Sequence, residues 1–186
     1  VLIPLIPLIQ NKIVKSTNII IDSKSGYSGA GRGVHIKHKK NNLYESLSAY
    51  GVFNHRHSAE IQQEIDSISN KKVNFVFTPH LSPMFRGILS TIYVDLKKGL
   101  NKNIVYRTLK KYFKNEQFVK VVKVDTFLST NDVINTNNCH ISVCKTKYKN
   151  KIIILSAIDN LIKGGSGQAV QNLNNKYNFP ETTSLV

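Results

Sequence analysis

The spacing of apolar and polar positions divides the chain into alternating strand and helix segments. "NIIID" (Asn18 to Asp22) is a short β-branched run that predicts a buried strand, and the glycine-rich stretch behind it, "SKSGYSGAGRG" (Ser23 to Gly33), reads as a loop. "AYGVF" predicts a second short strand. In "HSAEIQQEIDSIS", Ser58 is the predicted N-cap, Glu60 suits the positive end of a helix, and Ile61, Ile65 and Ile68 recur at helical spacing. That helix would begin near Ser58, with "NHRH" just before it. "VNFVFTP" and "RGILSTIYVDL" predict strands, with Pro79 and Pro83 confining the turn between them. "NIVYRTLKKYF" places Val105, Leu109 and Tyr112 on one helical face, and "FVKVVKV" alternates as a half-buried strand does. "HISVCKTKY" and "KIIILSAID" predict a hairpin around Lys149 to Lys151, and a last helix runs through "GQAVQNLNNKY".

Strands outnumber helices and short turns join several of them. The expectation is an α+β fold: a mixed, mostly antiparallel sheet with helices on one face. No repeat, low-complexity tract or linker interrupts the chain, so residues 1–186 read as one domain. The opening "VLIPLIPLI" carries two prolines and is too short for a membrane span, so it reads as a buried helix or interface segment. Cys139 and Cys144 lack metal-ligand spacing and are too few for a disulfide framework. A reducing, cytoplasmic compartment and no metal site are therefore expected.

A formal charge of +15 and a pI near 9.8 point to an anionic partner, unless the lysines are only a solvated surface. Lysine supplies most of that charge. Of the four arginines, three (Arg32, Arg56 and Arg86) fall inside distinctive motifs, where a planar fork grips carboxylate or phosphate better than lysine does.

Five motifs carry candidate chemistry. In "SKSGYSGAGRG" the glycines would let backbone N–H groups face an anion, with hydroxyls from Ser25 and Ser28 and charge from Arg32. The stretch matches neither a P-loop nor a dinucleotide fingerprint, and a structural loop is the competing reading. "NHRHSAEI" offers His55 or His57 as a general base near Glu60 or Glu64. "FTPHLSPMFRGIL" fixes Arg86 behind a proline-bounded turn, either for a ligand or as an ordinary ion pair, and leaves His80 as a turn residue. "NTNNCHISV" leads into a strand. "NLIKGGSGQAVQNLN" places Gly164, Gly165 and Gly167 ahead of a helix whose free N–H groups could meet a phosphate or an amide.

Taken together and in order, these motifs resemble the C-terminal domain of the N-acetyl-gamma-glutamyl-phosphate reductase family, over Val1 to about Thr183. The resemblance implies a fold like the C-terminal domain of glyceraldehyde-3-phosphate dehydrogenase and an NADP-dependent reduction of an acyl phosphate to a semialdehyde in arginine biosynthesis. It implies an N-terminal Rossmann domain that this chain lacks, and a nucleophilic cysteine in an N-P-G-C segment just before the part matching Val1. This stretch alone is then expected to be inactive, with exposed apolar area and self-association.

By position in the family, His55 is the general base, while Ser25, Ser28 and Arg32 hold the acyl phosphate. Arg86 holds the substrate carboxylate with help from Arg56, and Gly164, Gly165 and Gln168 approach the nicotinamide and its phosphates. Where the family reads G-A-A-G-Q, this chain has "GGSGQ". Cys139 falls in a strand motif as a packing residue. The expected partners are the Rossmann domain, a small acyl-phosphate substrate and further copies, as a homodimer or homotetramer through the sheet, with no nucleic acid and no membrane. The alternative is a basic module that keeps the fold and grips nucleic acid or another polyanion through its lysines.

Overall fold

The computed structural model describes residues 1–30 and 45–185. Among them a single seven-stranded sheet runs β2-β3-β1-β4-β7-β6-β5. In chain order the strands are β1 (Ile19–Gly26), β2 (Ser48–Ala49), β3 (Phe75–Ser82), β4 (Ile88–Asp95), β5 (Val119–Val121), β6 (Cys139–Lys145) and β7 (Lys151–Ile158). β1 pairs with β3, and β5 with β6, in parallel, and the other neighbours are antiparallel. The helices are α1 (Leu2–Gln10), α2 (Arg56–Ile68), α3 (Lys102–Tyr112) and α4 (Gly167–Lys176). The expected α+β class therefore holds.

Strand alternation sorts the residues into two faces. Ile19 and Ile21 of β1, Ile92 and Val94 of β4, Ile141 and Val143 of β6, and Ile152 and Ile154 of β7 share one core with Leu5 and Leu8 of α1, Ile61 and Ile65 of α2, and Val105 and Leu109 of α3. Helices α1, α2 and α3 thus cover one face. On the other face Leu128, Val133 and Ala157 form a smaller cluster with Leu89, Val122 and Leu155. The opening stretch is a helix despite Pro4 and Pro7, and Asn11 caps its end by donating from Nδ2 and N–H to Pro7 O at 2.8 and 3.1 Å.

Several local expectations shift. β1 runs on through Ser23 to Gly26, because β3 and β4 flank it and keep its ladder going past the apolar run. β2 is only two residues long, ended by Gly51 and Phe53 in the left-handed region. Pro79 lies inside β3 instead of in the turn. Its carbonyl accepts from Tyr50 N–H at 3.1 Å, so its missing N–H faces the sheet-edge side, where proline is tolerated. His80 is likewise a strand residue, with Nδ1 3.0 Å from Asp22 Oδ1. On α3 Tyr112 is exposed, and Phe113 packs on the core in its place. β5 keeps only Val119 to Val121 of the predicted strand.

Candidate active site

Register gathers four of the five motifs at one end of the sheet. Ser25 lies opposite Ile88, Ile88 opposite Ile158, and Ile158 opposite Cys139. Beyond this row β1 runs into a tight 3-10 turn (Tyr27–Ala30), β3 turns into β4, β6 begins and β7 gives way to Asp159.

The first motif is a packed corner here. Gly26 N–H donates to Gly87 O at 2.8 Å, Tyr27 N–H to Met84 O at 3.0 Å and Ser28 N–H to Phe85 O at 3.1 Å. The N–H groups of Gly26, Tyr27 and Ser28, three of the donors expected to face an anion, are therefore engaged by the 83–87 turn. A Cβ at Gly26 would lie 2.5 Å from Phe85 O, so only glycine allows this approach. Ser25 is half-buried, and its Oγ donates to Gly26 O at 3.2 Å. Ser28 Oγ donates to Phe85 O at 2.5 Å and accepts from Asn160 Nδ2 at 2.9 Å. Asn160 Oδ1 in turn accepts from Gly87 N–H at 2.6 Å. Arg32, with Gly31 and Gly33, lies outside the described residues.

Arg86 reaches a buried carboxylate. Its Nη1 donates to Asn135 Oδ1 at 2.7 Å and to Asp159 Oδ2 at 3.3 Å, and the Asp159 side chain has no exposed surface. Asp159 Oδ2 also accepts from Asn135 N–H, and Oδ1 accepts from the N–H groups of Leu161 and Ile162. Burial alone would raise the Asp159 pKa. The three backbone donors and Arg86 outweigh it and hold the carboxyl below its ordinary value. The Arg86 side chain keeps 29% of its surface exposed.

Asp159 also starts the glycine motif. A short π-helical turn (Ile162–Ser166) precedes α4, and Gly165 within it departs from helical geometry. Gly164 and Gly165 are exposed, and a Cβ at either would meet nothing closer than 3.4 Å. Gly167 is the tight one: a Cβ there would lie 2.5 Å from Asn137 Oδ1 and from Ile162 Cγ2. Gln168 Nε2 donates along the helix to Asn172 Oδ1 at 2.8 Å. Beneath the turn the nearly buried Lys163 Nζ donates to Gln171 Oε1 at 2.6 Å, and burial lowers its pKa. Gln171 also accepts from Asn137 Nδ2 and donates to Glu181 Oε1.

The histidine motif stands apart. His55 itself, not Ser58, is the N-cap of α2, its Nδ1 accepting from His57 N–H at 3.2 Å, so α2 begins at Arg56. The imidazole packs edge-on against Tyr50 and Phe77, with ring centroids 5.4 Å away in each case. Burial, then His57 and Arg56, lower its pKa, and Glu60 opposes them weakly. Glu60 pairs instead with His57, at 4.0 Å. Arg56 is exposed in the first turn. No hydrogen bond or ring contact among the described residues joins His55 to Ser25, Ser28 or Arg86. No group of three or more metal-ligating side chains is present among the described residues.

The joints of this end, Asp159, Asn160 and Asn135, were not singled out by sequence reasoning. The available signal was an Asp-Asn pair directly before a glycine-rich helix start, where carboxylate and amide side chains take up free backbone donors.

The model of the semialdehyde dehydrogenase dimerisation domain matches residues 1–160. The chain belongs to that family. It is 48% identical over its full length to the N-acetyl-gamma-glutamyl-phosphate reductase of Thermoanaerobacter pseudethanolicus, covering 54% of that protein. It is 45% identical to the probable chloroplastic N-acetyl-gamma-glutamyl-phosphate reductase of Arabidopsis thaliana, over 99% of this chain and 46% of that one. The chain thus spans about half the length of these relatives. Aspartate semialdehyde dehydrogenase II from Vibrio cholerae shares the fold, with a TM-score of 0.65 at 14% identity, covering 94% of this chain and 59% of the other. The Francisella tularensis aspartate semialdehyde dehydrogenase also has a TM-score of 0.65, at 12% identity, over 88% of this chain and 58% of that one.

Proposed function

We propose that this dimerisation domain is the substrate-binding part of a reductase that converts N-acetyl-L-glutamyl 5-phosphate to the 5-semialdehyde and phosphate, with NADP as cofactor, in arginine biosynthesis. The observation that carries this reading is the full-length match to reductases of that name, together with the gathering of four motifs at one sheet end. The nucleophilic thiol comes from a Rossmann half preceding Val1. Neither Cys139 nor Cys144 replaces it: both are buried, and burial raises the Cys139 thiol pKa.

When bound, NADPH would supply the hydride. The exposed turn at Gly164 and Gly165 suits it, because a flat ring can approach backbone that carries no Cβ, and Gln168 stands at the start of α4 beside it. Ser25 and Arg32 contact the acyl phosphate. Ser28, whose hydroxyl proton goes to Phe85 O, shapes the corner that holds it. Arg86, partly exposed and held by Asp159 and Asn135, meets the substrate carboxylate, and Arg56 assists.

His55 handles the proton. With Nδ1 accepting the cap, the neutral ring carries its hydrogen on Nε2, which hydrogen-bonds and steadies the oxyanion of the tetrahedral adduct. Accepting a proton from the thiol at Nε2 requires the other tautomer and loss of the cap. The lowered pKa keeps the ring neutral near pH 7 for both tasks.

A second copy packs on the helix-free sheet face, where Ile20 and Val76 are exposed. The enzyme works in the cytoplasm, in keeping with two unpaired thiols; no helix among the described residues is long and apolar enough to cross a membrane. The isolated chain, assayed with the semialdehyde, phosphate and NADP, should give no turnover above background. Measurable turnover would overturn the assignment of the nucleophile to the upstream half.

A further inference from the structure

A hollow of about 720 Å³ opens at the β5 edge of the sheet, away from the corner described above. From Ser25 the register runs through Ile88, Ile158 and Cys139 to Val119, four strand spacings or about 19 Å. Its rim is cationic. Arg107, Lys110, Lys111 and Lys114 of α3 and its end recur at i, i+3, i+4 and i+7, and Lys120 of β5 and His140 of β6 face each other across the register. Its floor is apolar and aromatic, from Tyr106, Phe113 and Val119, which pack on the core behind it.

Some of the chain's lysines are already neutralised by a carboxylate. Lys24, Lys102 and Lys151 each sit against an aspartate. Among the described residues none of the five lysine and arginine side chains on this rim has a carboxylate within 4.0 Å, and Glu116 is the one acid lining the hollow. Like charges at these helical spacings repel. A second hollow, of about 610 Å³, is lined by Lys12, Lys15, Lys71 and Lys97 but has no aromatic residue. Clustered lysine alone therefore does not reproduce the first one.

We propose that the β5-edge hollow binds a nucleoside di- or triphosphate, its base on the Tyr106 and Phe113 floor and its phosphates on the cationic rim. Several cations without carboxylate partners match two or more phosphate charges, and Arg107 adds a fork that fits phosphate oxygens. The aromatic floor supplies the stacking surface that inorganic polyphosphate would not need.

The test is calorimetric titration of ADP, adenosine and pyrophosphate into the 186-residue chain at low ionic strength. It is repeated with the exposed triple R107Q/K111Q/K114Q and with a charge-matched triple elsewhere, K72Q/K98Q/K149Q. ADP should bind saturably, more tightly than adenosine or pyrophosphate. The rim triple should weaken it about tenfold or more, and the matched triple by less than about twofold. On binding, the His140 imidazole, held below its ordinary pKa by burial and by Lys120 against the opposing pull of Asp132, should titrate higher in NMR. Equal losses in both triples would reduce the effect to net charge and overturn the site. So would ADP binding that leaves His140 unmoved, or a single-stranded RNA that saturates the rim while ADP does not.

Discussion

The sheet end around Asp159 and the α2 N-terminus around His55 are built on opposite plans. At Asp159 a carboxylate without exposed surface takes three backbone N–H groups and a guanidinium, and Asn160, just past β7, ties the Tyr27–Ala30 turn to the 83–87 turn. At His55 there is one cap bond, three ring edges and an exposed arginine, with Phe53 almost fully exposed in the left-handed region nearby. The first region is held by a dense hydrogen-bond network and gains rigidity. The second keeps an imidazole with few partners, as the proton-handling role proposed for it requires. Support and chemistry are thus separated, and substitutions should separate them too.

The largest stability effect should come from Asp159→Ala. Losing the carboxylate strands three N–H donors and Arg86, and urea unfolding should fall by about 3–5 kcal/mol. Gly167→Ala follows, costing about 1–3 kcal/mol by overpacking against Asn137 and Ile162. Gly164→Ala, whose Cβ makes only ordinary contacts, should stay within about 0.5 kcal/mol. Equal costs for the two alanines would break the distinction between a packing glycine and an approach glycine.

At His55 the order inverts. His55→Asn keeps a good N-cap, so stability should change by less than about 0.5 kcal/mol while turnover of the whole enzyme drops about 10²–10⁴-fold. The smallest effect is on pH. His55 and His140 both have folded pKa values below the ordinary one, so their penalty is absent well above pH 6.5 and grows as pH falls through that value towards the folded pKa. Urea midpoints should therefore decline modestly from about pH 7 to 5, and less so in His140→Gln.

Strand and helix identities were legible because β-branched runs and helical spacing of Ile61, Ile65, Val105 and Leu109 are local signals. Boundaries moved where neighbours decide: β1 extends to Gly26 only because two strands flank it, and Pro79 sits in β3 because its missing N–H faces the edge. Within the site, the motifs carrying Ser28, Arg86 and Gly164 stood out in the chain. Their partners Asn135, Asp159 and Asn160 did not, since contacts across 49, 73 and 132 residues of sequence leave no periodic trace. His55 stood out through its unusual neighbours, but its role as a cap depends on a backbone angle that composition does not encode.

One chimera tests the assignment most directly: the upstream half of the Thermoanaerobacter pseudethanolicus relative joined to this chain, assayed for NADP- and phosphate-dependent oxidation of N-acetyl-L-glutamate 5-semialdehyde. Turnover that requires both NADP and phosphate, and that His55→Asn reduces by about 10²-fold or more in a protein of unchanged stability, is the expected result. A folded, dimeric chimera without turnover, or one indifferent to His55, would contradict it.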